Sequence, residues 1–149
     1  MADGKIDGFW ANGMGAEVAI QRGIGTMVLD ARRGDGPASL RGYTFGVLAT
    51  RADLVEKQPE KAAAAVRALV KTQKALKKDP KRATKVGEKW FPPFEASLIA
   101  KLVERDLPYY DPAISKGAFD SMCKFAQTTG LTKGVGQYED VVATQYANL

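Results

Sequence analysis

The run Ile6-Asp-Gly-Phe-Trp10-Ala-Asn12-Gly-Met-Gly15-Ala-Glu17-Val-Ala-Ile-Gln-Arg22 holds the key to the architecture. Its first part is a short apolar segment between glycines, the pattern of a buried strand over residues 6–11. Asn12, Gly13, Met14 and Gly15 then read as a turn and helix start, and residues 16–22 as a short helix ended by Gly23. Working outward, Thr26-Met-Val-Leu-Asp30 predicts a second strand, and the turn formers of 32–39 predict a loop. Tyr43-Thr-Phe-Gly-Val-Leu-Ala49 predicts a third strand, apolar on both faces and hence central. The expected class is α/β, with few, mostly parallel strands followed by a helix-rich C-terminal part. Three short strands cannot shield both faces of a parallel sheet. Together with a strand expected so near residue 1, this predicts that the chain is a portion of something longer.

Beyond Thr50 the periodicity becomes helical. Thr50 is the expected cap of a helix to Lys57, with Asp53 as a capping-box carboxylate. Pro59 suits the first turn of the next helix, whose apolar stripe is Ala62, Val66, Leu69, Val70 and Leu76. Further helices are expected over 80–89, on Phe94, Leu98, Ile99, Leu102 and Val103, from Asp111-Pro112 to Gly130, and over 139–147.

The 149 residues carry a net charge of +5, one cysteine and no histidine. Imidazole acid–base chemistry, His-based triads and His metal sites are thereby excluded, as are an internal disulfide and a CxxC pair. Neither a cofactor nor a metal site is expected, and the chain reads as a non-enzyme. No apolar run approaches the roughly 20 residues of a membrane-spanning helix, and no secretory leader is visible at the start. The stretch 71–89 holds eight lysines and arginines against Asp79 and Glu88. It reads as a solvated helix face, since no aromatic interleaves before Trp90. A basic nucleic-acid module is the alternative.

Trp10 and Asn12, two apart at the end of the expected strand, point the same way, and that edge is where open α/β sheets hold ligands. Gly13 and Gly15 open a helix, where backbone N–H groups attract anions. They also fit the first two glycines of a dinucleotide fingerprint, which leaves a nucleotide-binding enzyme fragment as a second alternative. Val18 stands at the third glycine, however, and Asp30 lies fifteen residues after Gly15 where about 20 is usual. Glu17 reads as a first-turn carboxylate on its own helix dipole, and Cys123 as a packed small hydrophobe. The run Trp90-Phe-Pro-Pro-Phe94 reads as a packed corner between helices, with a binding rim as the other possibility.

Two stretches carry a family resemblance. Ala2-Asp-Gly-Lys-Ile-Asp-Gly-Phe-Trp10 resembles the second-lobe strand entry of solute-binding proteins serving ABC importers, of the nitrate/sulfonate/taurine type that includes thiamine-precursor binders. Arg51-Ala-Asp-Leu-Val-Glu-Lys-Gln-Pro-Glu-Lys-Ala-Ala-Ala-Ala-Val66 is similar to the helix pair that follows in that family. The order of the remaining segments, through Tyr138-Glu-Asp-Val-Val142, agrees as well. The resemblance implies a partial periplasmic-binding-protein type II fold. Residues 1–40 would be the remainder of the second lobe, and 41–149 the hinge return and helical part of the first. It implies capture of a small solute such as a sulfonate, nitrate or heterocyclic precursor, and delivery to a membrane permease. It places the full-length parent in the periplasm. Trp10, Asn12, Gly13 and Met14 match the family's cleft-facing loop, and Tyr43 and Thr44 approximate the hinge return. The implied partners are the solute and the permease, with no nucleic acid. A fragment with open surfaces could also form a homodimer.

Overall fold

A computed structural model describes residues 1–11, 13–38 and 46–149. The molecule is 60% helical, and the described residues contain no strand. Among the described residues, seven α-helices run in chain order: α1 (Met14–Gln21), α2 (Ala52–Lys57), α3 (Pro59–Lys78), α4 (Lys81–Trp90), α5 (Pro93–Asp106), α6 (Lys116–Thr128) and α7 (Tyr138–Val141). Short 3-10 turns at Ala31–Arg33, Leu107–Tyr109 and Thr144–Tyr146 accompany them. The expected α/β class, and with it the partial type II binding-protein fold, is therefore corrected to an all-helical arrangement.

The reason lies in what a strand requires. An extended segment becomes a strand only by pairing its N–H and C=O groups with a neighbour, and an apolar run between glycines does not guarantee one. Residues 6–11, 26–30 and the described 46–49 are irregular backbone. Gly4, Gly23 and Gly46 take positive φ beside these segments, turning the chain where a ladder would have to continue. In the second segment the alternation is also overridden. Asp30 is 5% exposed while Val28 is 94% exposed, so the segment buries its carboxylate and turns its β-branched residue to water.

The helices follow the sequence pattern more closely. Pro59 opens α3 as expected, and its N-terminal position wastes no backbone donor. Ala62, Ala63 and Val70 are its buried residues. Arg51, not Thr50, occupies the cap position of α2, and its guanidinium holds Asp53 through two hydrogen bonds of 2.9 and 3.0 Å. Asp111 accepts from the Ala113 N–H in a turn, so α6 starts later, capped by Ser115 whose hydroxyl accepts from Ala118 N–H at 3.1 Å. The expected C-terminal helix shrinks to α7 and a 3-10 turn.

The chain divides into two compact units. The first comprises Met1–Asp30 and Lys74–Tyr110, the second Ala31–Gln73 and Asp111–Leu149. In the first, α4 and α5 pack closely and α1 lies against α5. Gly87 is buried at the α4–α5 contact: a Cβ there would collide with the Ile99 Cδ1 atom and stand 3.8 Å from Ala96 Cα. The tip of the Ile99 side chain occupies the space a Cβ would take, while the α5 backbone stands at ordinary contact distance. Ala96, Leu98 and Val103 complete the α5 side of this core. In the second unit, the Tyr138 hydroxyl donates to the Ile114 carbonyl and its ring meets Phe119 edge-on at 5.6 Å. The Tyr146 hydroxyl donates to the Pro59 carbonyl at 3.2 Å, tying the C-terminal turn to the start of α3.

Candidate functional site

The start of α1 is built around Gly13. This residue is the helix N-cap at φ 58° and ψ −119°, a conformation costly to any residue with a Cβ. No side chain caps the helix, and a Cβ built on Gly13 would meet nothing within 4 Å. The first turn lies at the positive end of an eight-residue helix. Trp10 stands three residues earlier with its side chain 77% exposed. Met14, the first helical residue, is half-buried. Of the six site residues expected from the sequence, Gly13 and Met14 are described at the start of α1 and Trp10 in the segment before it. Asn12, Tyr43 and Thr44 lie outside the described residues. Chemically, an exposed indole close in sequence to a glycine-opened helix start suits a small ligand with a planar or apolar body and an anionic group.

Glu17 is the acidic residue of the first turn of α1, as expected, and it is engaged by α5 as well. Glu17 Oε2 accepts from Arg105 Nη1 at 2.7 Å, and its Oε1 from Gln21 Nε2 at 3.3 Å. Arg105 also grips the neighbouring Asp106 through Nε at 2.8 Å and Nη2 at 3.3 Å. All three side chains are largely buried. The hydrogen bond to Asp106 raises the Arg105 guanidinium above its ordinary value; desolvation opposes this, and the charges of Asp106, Glu17 and Asp30 add to the rise. Burial, then the Asp106 charge, pushes the Tyr110 phenol up as well. The guanidinium fills the centre of this acidic group, where a metal cation would otherwise have to stand. Among the described residues no cluster of three Asp, Glu or Cys is arranged to hold a metal ion.

Sequence reasoning did not single out Arg105, Asp106 or Tyr110, and the separation of 88 positions between Glu17 and Arg105 leaves no local signal of their contact. Cys123 is half-buried on α6 as a free thiol. Arg33 is exposed in the first 3-10 turn. The aromatic corner after α4 does join two helices, but Trp90 and Phe91 face outward, while Phe94 lies beneath the Arg22 guanidinium at 5.0 Å. The dinucleotide fingerprint needs a strand before its glycines, and residues 6–11 form none. No described helix is long and apolar enough to cross a membrane. Set beside protein-family models, curated proteins and solved structures, the chain matches none of them.

Proposed function

We propose that this chain is a solute-capturing component of an ABC importer, taking a small anionic or heterocyclic solute at the Trp10–Gly13 corner for delivery to a membrane permease. The observation that supports it is the pairing of an exposed indole with an uncapped, glycine-opened helix start. Each half serves a different part of one ligand: the indole covers a planar or apolar body, and the helix terminus meets negative charge. The likeness of 2–10 and 51–66 to the nitrate/sulfonate/taurine binders points to the same ligand chemistry.

The test is a fluorescence titration of the full-length polypeptide carrying Trp90→Phe, so that Trp10 alone reports. Taurine, nitrate and an aminopyrimidine are the probes. A saturable change in Trp10 emission with one of them is expected, weakened at least ten-fold by Gly13→Val, which cannot hold the positive φ cheaply. An emission that stays flat with all three probes overturns the reading.

A further inference from the structure

Helix α4 turns only one narrow face inward. Gly87 is its buried residue, with Ala83 and Thr84 half-buried beside it, and this face meets α5. Residues three and four apart share a helix side, so Arg82, Lys85 and Lys89 form the opposite, solvent-facing ridge. Val86 and Trp90, one turn apart, run along the border of that ridge at 64% and 71% exposure, and Phe91 follows at 50%. The chain then bends at Pro92 and Pro93 into α5, which leaves this apolar edge at an outward corner. Lys77 and Lys78, at the end of α3, and Lys81 are exposed too. The local acids are few: Glu88, and Asp79, which accepts from the Lys81 N–H just ahead of α4.

An apolar edge rimmed by cations calls for a partner that is apolar inside and anionic at its boundary. An anionic bilayer has that profile, with phosphate at the surface and acyl chains a few ångströms below. A single-stranded nucleic acid supplies the charge but asks for open aromatic faces. Here the Lys89 ammonium lies 5.1 Å from the Trp90 ring centroid, over one face of the indole, and Val86 offers nothing to stack on. We propose that α4 and the Trp90–Phe91 corner are a peripheral membrane-docking surface for anionic lipid. Val86, Trp90 and Phe91 enter the interface, and Arg82, Lys85 and Lys89 meet the headgroups. The helix stays on α5 throughout, because Val86, Trp90 and Phe91 are already exposed to solvent while Gly87 is the buried contact. The surface does not depend on the solute reading of Trp10.

Co-sedimentation with phosphatidylcholine vesicles, with and without phosphatidylglycerol, tests the proposal. Binding to the anionic vesicles alone is expected, weakening as salt is raised. Trp90 emission should shift to the blue in a Trp10→Phe background. The double variant Lys85→Glu/Lys89→Glu should lose about five-fold or more in partitioning for each charge reversed. Trp90→Ala/Phe91→Ala should lose at least ten-fold with charge unchanged, and as both positions are solvent-facing, its helical circular dichroism should match the parent. The proposal is overturned if anionic vesicles are not bound, if both vesicle types bind equally, or if the aromatic double variant binds as the parent does. It is likewise overturned if oligo(dT) binds more tightly than the vesicles and quenches Trp90.

Discussion

The two units hold themselves together by different chemistry. In the first, α1 and α5 are joined by a largely buried charge group, Glu17–Arg105–Asp106, beside the α4–α5 pair where Ile99 packs over buried Gly87. In the second, tyrosine hydroxyls reach backbone carbonyls, Tyr138 to Ile114 and Tyr146 to Pro59, and α6 has no buried residue at all. A buried charge group fails badly when one member is lost, because the remaining charges are stranded away from water. A phenol-to-carbonyl tie fails mildly, because water can replace the missing donor. The first unit should therefore be brittle to single substitutions and the second tolerant.

The sharpest way to break this contrast is Arg105→Met, which leaves Glu17 and Asp106 without their common cation. A loss of about 3 kcal/mol is expected. Amide exchange should show it in α1 and α5, with α6 unaffected. Equal loss in both units would mean that the contrast is false. Next in size is Gly87→Val, which forces a branched side chain against Ile99. Overpacking of this kind costs about 2 kcal/mol, and the lost protection should be confined to α4 and α5. The smallest effect is expected from Tyr138→Phe, which keeps the edge-on contact with Phe119 but removes the hydroxyl. About 1 kcal/mol should be lost, read as faster exchange in α6 and α7. A larger loss here than in Arg105→Met would invert the comparison.

Helices proved far more legible than the strands, for reasons visible in particular residues. The stripe Ala62, Val66, Leu69 and Val70 states its period within the segment itself, so α3 can be read without knowing its neighbours. A helix satisfies its own backbone; a strand borrows its partner. Residues 6–11 and 26–30 have strand-like composition, but nothing within them states whether a partner is there. Asp30 was the available warning, a carboxylate closing an apolar run, and it is the residue that the fold buries. Caps were misplaced where two polar residues competed. Thr50 yielded to Arg51, which brings its own salt bridge to Asp53, and Asp111 yielded to Ser115. Of the candidate site, the glycine turn was legible because positive φ has a chemical signature. The Glu17–Arg105 bond was not, because its partners are distant in sequence.

That bond ties the fate of α1 to its own beginning. Arg105 is held by Asp106 on α5 whether or not α1 is docked, so α1 can part from α5 by giving up its Glu17 contact while the guanidinium stays neutralised. Any solute that needs the first turn of α1 in place must favour the docked helix, and by thermodynamic reciprocity a firmly docked helix must favour the solute. On the proposed solute reading, loosening the ion pair would then weaken binding with Trp10 and Gly13 both intact.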